Sequence, residues 1–270
     1  MPSILITGVS SGLGQALAVK AHEEGWSVTG TVRDDRGPAD HGLPEAVKLY
    51  RLDLRLPDNV AAVAARYLAE NGGAPDVLVN NAGYTLYTPV EEASPQATRD
   101  IFQVNTFAAV ELATAFVPAM RERGSGTIVN VTSVGGRLVF PFFSVYNASK
   151  HALEGFSEGL WHELKPFGVR VKAVEPGYIE TPIYRAMDEH AEPTGPYAPY
   201  LTAMNAFSAG VTKRSTPAEA AAQTWAAITD PSDRLRYPVA AYSGALIAVR
   251  RLVGDRVFMR FMHSRWMGRY

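Results

Sequence analysis

Short apolar runs alternate with helix-period segments along most of this chain, and that alternation restricts the fold more than any other feature. Runs apolar enough to bury both faces of a strand, each followed by an amphipathic stretch, are the pattern of βαβ units around a parallel sheet. Strands are predicted over 3–7, 27–32, 47–52, 76–80, 127–131, 169–174 and 236–240. Helices are predicted over 12–24, 58–70, 95–122, 144–166 and 217–229. With 270 residues, 47% of them apolar, the sequence suits one large α/β domain over 1–270 with a sizeable core. Residues 182–212 interrupt the rhythm with Pro182, Pro193, Pro196 and Pro199 among Tyr184, Tyr197, Tyr200 and Phe207. That segment reads as a substrate lid or binding loop. Residues 241–270 read as a C-terminal helical extension.

Composition removes several function classes. The net charge of −1 offers nucleic acid no global attraction. The absence of cysteine excludes disulfides, thiolate metal ligands and cysteine nucleophiles, and suits a cytoplasmic protein. The six histidines show no metal-ligand spacing, so no metal is expected. The strand-like Ser3–Thr7 begins at once, so no signal peptide is expected. No run approaches the ~20 uninterrupted apolar residues of a membrane span.

Chemistry concentrates at the ends of the predicted strands. Thr7-Gly8-Val9-Ser10-Ser11-Gly12-Leu13-Gly14 follows a strand and opens a helix. Glycines there let the backbone approach a pyrophosphate resting on the helix N-terminus. An ordinary tight connection is the other reading. After the second strand, an acid would select the ribose 2′-hydroxyl of NAD and an arginine the 2′-phosphate of NADP. Val32 is followed by Arg33, favouring NADP, although Asp34 comes next and leaves NAD as the lesser option. Asp53 reads equally as an acceptor for the adenine amino group or as a cap for the helix near Asp58. Asn80-Asn81-Ala82-Gly83 suits close approach to a ligand and pinning of neighbouring loops. Asn105, a poor helix former inside a helical pattern, reads as a solvated residue or as a local distortion holding a water.

Tyr146 and Lys150 lie four residues apart on a predicted helix and share one face. A cation beside a phenol favours the phenolate and makes an acid/base suited to an alcohol or carbonyl. Ser133, just past a strand end, could bond the substrate oxygen or simply cap a turn. Pro176-Gly177-Tyr178-Ile179-Glu180-Thr181 is either a rigid turn or a platform placing Ile179 and Thr181 on a nicotinamide, with Thr181 bonding its carboxamide. A dinucleotide turn plus a proton-exchanging pair points to hydride transfer.

Taken in order, these segments resemble the short-chain dehydrogenase/reductase family from residue 3 to about 181. The resemblance implies a Rossmann-type, doubly wound, three-layer fold with a seven-stranded parallel sheet. It implies Tyr146 as acid/base, Lys150 lowering its pKa and binding the nicotinamide ribose, Ser133 orienting the substrate oxygen, and Asn105 holding a relay water. Glu175 stands where many members have Asn. The Thr-Val-Arg ending of the second strand and the basic, aromatic tail look like the branch containing retinol and 17β-hydroxysteroid dehydrogenases, which suggests an apolar alcohol or carbonyl substrate. Leu138–Phe143, between Ser133 and Tyr146, agrees, although Phe140, Phe142 and Phe143 could equally be core. A homo-oligomer built on helices carrying Ala108, Ala109, Ala113, Ala148 and Ala152 is expected. The tail sets Arg250, Arg251, Arg256, Arg260, Arg265 and Arg269 against Asp255. Docking on the body or on a neighbouring subunit is its preferred reading, and contact with an anionic membrane surface the lesser one. A non-catalytic dinucleotide sensor or scaffold is the alternative to an enzyme.

Overall fold

The computed structural model describes residues 1–183 and 195–267. Tyr184, Pro193 and Arg269 lie outside the described residues. Seven strands form one parallel sheet: β1 (Ser3–Ile6), β2 (Ser27–Val32), β3 (Lys48–Arg51), β4 (Val77–Asn80), β5 (Gly126–Val131), β6 (Val169–Pro176) and β7 (Arg236–Val239). Their order is β3-β2-β1-β4-β5-β6-β7, with register pairs such as Ile4↔Val28 and Ile4↔Val77. Helices α1 (Gly12–Glu23) and α7 (Pro217–Thr229) cover one face. Helices α2 (Pro57–Asn71), α4 (Ala108–Arg123) and α5 (Ser144–Leu164) cover the other.

Strand alternation divides the core between these layers. In β1, Ile4 and Ile6 point towards α1 and Leu5 towards α2 and α4. In β4, Val77 and Val79 point one way and Leu78 the other. A third apolar cluster lies over the C-terminal ends of the strands. It joins Phe142, Phe143 and Tyr146 to α6 (Ala198–Ala209) and α8 (Ser243–Trp266). The stretch 182–212 therefore contains a helix that its proline content hid. Pro199 stands in the first turn of α6, where a missing N–H costs nothing.

The predicted helix 95–122 is divided. Helix α3 (Pro95–Phe102) passes through a π-helical turn, Gln103–Phe107, into α4. By length and hydropathy Pro95–Arg123 could cross a membrane, but its Leu112, Phe116 and Met120 are fully buried in the core. Ala108, Ala109 and Ala113 are also buried within the chain, so they are not free for a subunit contact, whereas Ala148 and Ala152 are exposed on α5.

Candidate active site

The sheet order reverses between β1 and β4, and in such sheets a crevice opens beyond the strand ends at that point. Here the crevice is a cleft of about 890 Å³. Its floor begins with the glycine turn. Gly8 has φ +73, and a Cβ there would lie 2.9 Å from that of Ala82. A Cβ on Gly14 would collide with the Gly8 carbonyl oxygen and Asn81 Nδ2. Asn81 Nδ2 donates to the carbonyls of Thr7 (2.8 Å) and Gly8 (3.1 Å), pinning the turn against β4. Ser11, in extended backbone, precedes α1, but no side chain caps that helix and no acid occupies its first turn. In α7, by contrast, Thr216 and Glu219 form a complete capping box. The start of α1 thus presents backbone N–H groups and the positive end of the helix to the cleft, which suits a pyrophosphate.

Gly8, Ser10, Ser11, Gly12, Leu13 and Gly14 all line the cleft. So do Arg33, Asp53, Asn81, Ala82 and Gly83, and on the far wall Pro176, Gly177, Ile179 and Thr181. Thr181 packs over Gly12, with its Cγ2 3.1 Å from where a Cβ would stand. Asn80 does not reach the cleft. Its side chain is buried and donates to Asn130 Oδ1 at 2.8 Å, and Asn130 in turn donates to Ser157. Consecutive residues of a strand face opposite ways, so only one of Asn80 and Asn81 can meet a ligand. Asp53 does not cap α2, which begins after Leu56 without a side-chain cap. Instead its carboxylate accepts from the Arg55 backbone N–H and guanidinium, and these bonds hold its pKa below the usual range.

Arg36 and Arg55 line the adenosine end of the cleft, and neither was expected from the sequence. The available signal was a second arginine four residues beyond a strand's end. Asp34 does not line the cleft. Its carboxylate accepts from Arg36 Nε (3.0 Å) and Nη2 (2.7 Å) and lies 2.9 Å from His41 Nε2.

Ser133, Tyr146 and Lys150 meet at the other end. The Ser133 hydroxyl accepts from Gly135 N–H at 2.9 Å and interacts with the Tyr146 phenol. Lys150 Nζ donates to the Val131 carbonyl at 2.9 Å. Burial pushes Tyr146 above its ordinary value, and the Ser133 hydroxyl works against that rise. Burial also lowers Lys150 to about 8, opposed by the nearby negative charge of Glu154. Desolvation leads for both groups, and no contribution from Lys150 stands among the causes acting on Tyr146. Asn105 sits in the π-helical turn. It accepts from Tyr84 N–H (3.1 Å) and donates to the Tyr84 carbonyl (3.0 Å) and Ser149 Oγ (3.1 Å). It does not line the cleft, but its Oδ1 lies 3.0 Å from where a Gly83 Cβ would stand, with Lys150 Nζ at 3.4 Å. The expected distortion is present, and Asn105 bolts the Tyr84 loop to α5.

Around the reacting end, Phe140, Phe143, Met204 and Phe207 line the cleft. Phe142 turns away, stacking edge-on with Tyr87 and Tyr197.

A glycine turn on an uncapped helix, open to the same cleft as a buried Ser/Tyr/Lys set, defines a dinucleotide-binding oxidoreductase site. The sequence matches the short chain dehydrogenase family over residues 2–192. The chain belongs to the short-chain dehydrogenase/reductase family and is an oxidoreductase of that class. An uncharacterized oxidoreductase of Schizosaccharomyces pombe is 36% identical over 197 residues, covering 73% of this chain and 83% of that protein. Estradiol 17-beta-dehydrogenase 1 of Rattus norvegicus is 37% identical over 68% of this chain, which spans 56% of that enzyme. Retinol dehydrogenase 8 of Bos taurus is 39% identical over 66% of this chain and 59% of its own length. Among solved structures, a short-chain dehydrogenase from Streptomyces avermitilis superposes on 98% of this chain and 96% of its own, with a TM-score of 0.81 and 33% identity. One from Burkholderia cenocepacia, in complex with NADP, covers 98% and 97%, with a TM-score of 0.73 and 27% identity.

Proposed function

We propose that this protein is an NADP-dependent oxidoreductase that interconverts an apolar alcohol and its ketone or aldehyde, and that Tyr146 handles the proton. The carrying observation is the meeting of Ser133, Tyr146 and Lys150 in one cleft with the glycine turn and α1. A nicotinamide held there supplies or accepts the hydride. In the reducing direction Tyr146, kept neutral by its raised pKa, donates its proton to the substrate oxygen. The Ser133 hydroxyl orients that oxygen, and the Lys150 ammonium stabilises the phenolate left behind.

The cofactor preference rests on Arg33, Arg36 and Arg55 at the adenosine end, together with an Asp34 whose carboxylate is held outside the cleft by Arg36 itself and by His41. Guanidinium groups suit a 2′-phosphate through charge-assisted bonds. The NADP-bound Burkholderia cenocepacia structure, and an L-sorbose reductase from Gluconobacter frateurii complexed with NADPH and L-sorbose at 28% identity, support the same reading. The apolar substrate class rests on Phe140, Phe143, Met204 and Phe207 and on the estradiol and retinol dehydrogenases among the relatives.

The test is a panel of steroid, retinoid, alkyl and sugar carbonyls with NADPH and NADH side by side, repeated with Tyr146→Phe. The expected outcome is turnover of apolar carbonyls with NADPH. Tyr146→Phe should lower kcat by about 10²–10⁴-fold while nucleotide still quenches tryptophan fluorescence. Turnover retained in the variant would remove Tyr146 from the mechanism. Nucleotide binding without turnover of any substrate would favour the sensor reading.

A further inference from the structure

Helix α8 buries one face and leaves an apolar one uncovered. Gly254 (φ 73, ψ 164) interrupts its helical backbone and divides it in two. In the second half, Phe258, Met262 and Trp266 recur every fourth residue and pack into the cluster over the cleft. In the first half, Ser243 and Ile247 are buried. The opposite side of that half carries Ala245, Ala248, Val249 and Leu252 at helical spacing, all exposed. Beyond the kink, exposed Val257 and Phe261 run alongside exposed Arg256 and Arg260. Seven of the twelve large apolar side chains exposed among the described residues fall between Tyr242 and Phe261. Scattered exposed apolar residues need no explanation, but a concentrated patch marks an interaction surface.

Charge decides what covers it. Asp255 is the only acid in α8, and it is already paired with Arg250 at 3.0 Å. Arg256 and Arg260 carry no ion pair among the described residues. A second copy laid on this face would set arginine against arginine with no free acid to answer. An anionic bilayer satisfies both features, taking the apolar side chains at the acyl boundary and the guanidinium groups among the headgroups. We propose that the outer face of α8 is a docking surface for an anionic lipid bilayer, held through Leu252, Val257 and Phe261 with Arg256 and Arg260. The inner side of the same helix walls the cleft. Trp266 lies 6.1 Å from Phe140 and 5.0 Å from Phe207, ring centroid to centroid, and both phenylalanines line the reacting end. Docking would therefore leave this helix between the lipid and the cleft.

The experiment is co-sedimentation of the full chain with vesicles of phosphatidylglycerol and phosphatidylcholine, and with vesicles of phosphatidylcholine alone, at ~0.1 M and ~1 M salt. Its readout does not depend on catalysis. The expected result is binding to the phosphatidylglycerol vesicles that falls with salt, and little binding to phosphatidylcholine. The double variant R256Q/R260Q should bind on the order of thirtyfold more weakly, from two lost surface cations. The triple variant L252E/V257E/F261E should not bind, with an unchanged melting temperature because all three side chains are exposed. The proposal is overturned if the parent chain does not pellet with phosphatidylglycerol vesicles, or if the triple variant pellets equally. It is equally overturned if sedimentation velocity shows a dimer that the triple variant dissolves while neither protein binds vesicles, since a second copy would then cover the face.

Discussion

The Asp34 carboxylate accepts from the Arg36 guanidinium through Nε and Nη2 and from the Arg36 backbone N–H, and it lies against His41 Nε2. The Arg36 bonds lead in holding its pKa down to about 2. His41 is buried, and its carbonyl accepts from Gln15 at 2.5 Å, so the clamp is anchored to α1. An acid in the right turn for NAD is thereby kept out of the cleft, while Arg33 and Arg36 line it. Arg33→Ala and Arg36→Ala should each raise the Kd for NADP by about five- to thirtyfold, one charge-assisted contact apiece. The Kd for NAD should stay nearly constant in Arg33→Ala and stay constant or fall in Arg36→Ala, which also releases Asp34, and paired fluorescence titrations with the two nucleotides measure both. Equal losses for both would mean that these arginines do not read the 2′-phosphate. Of the residues around the cleft, the glycine turn, Asn81, Ser133, Tyr146 and Lys150 were legible in the sequence because their chemistry is carried by residue type and short spacing. The direction of Asp34 was not, since it depends on a histidine seven residues away.

Among the elements, β6 ends in a buried acid. Glu175 faces Arg137 Nη1 at 3.4 Å and Arg236 Nε at 3.7 Å, with Glu154 sharing both arginines. Burial is the main cause of its rise to about 7, helped by the charge of Glu154. A carboxyl with a raised folded pKa binds its proton more tightly in the native state. Its contribution to stability is complete below its ordinary value and is lost as pH rises through about 7. Chemical denaturation between pH 5 and pH 8 should therefore show Glu175→Gln losing less stability than the parent as pH rises, with a difference of up to about 3 kcal/mol. Parallel curves would place the titration elsewhere. Between α3 and α4, Asn105→Ala removes three hydrogen bonds that close the π-helical turn on Tyr84 and Ser149. It should cost about 2–3 kcal/mol in urea unfolding and lower kcat through a loosened Tyr84 loop. A change in kcat without loss of stability would instead give Asn105 a part in proton transfer. The helical period runs unbroken through 95–122, so the sequence showed this break only through one ill-suited asparagine. Helix α6 was concealed for the opposite reason, because prolines and aromatics outweighed the apolar spacing of Leu201 and Met204.

For the whole molecule, a nucleotide that spans the switch point ties β1, β2 and β4 together and binds the folded state alone. NADP at 100 times its Kd should add about 2.7 kcal/mol of stability, or roughly 5–10 °C in Tm for a chain of this size. NAD at the same concentration should add less, and a thermal melt with each nucleotide measures the difference. Equal shifts would sink the cofactor preference. All seven strands were legible, β1 and β4 as the near-continuous apolar runs of strands buried on both faces, and β3 and β7 from shorter stretches that hold exposed residues at the edges of the sheet. Their order was not, because strand neighbours are chosen by crossovers that leave no local mark. That order has a cost on the ribosome. Ile4 pairs on one side with Val28 and on the other with Val77. A nascent chain can complete the β1–β2–β3 half early, yet the inner edge of β1 waits unpaired until β4 emerges. An open, largely apolar strand edge invites a neighbouring polypeptide. Refolding yield should therefore be limited by protein concentration, and the half-sheet is the species that a chaperone would need to shield.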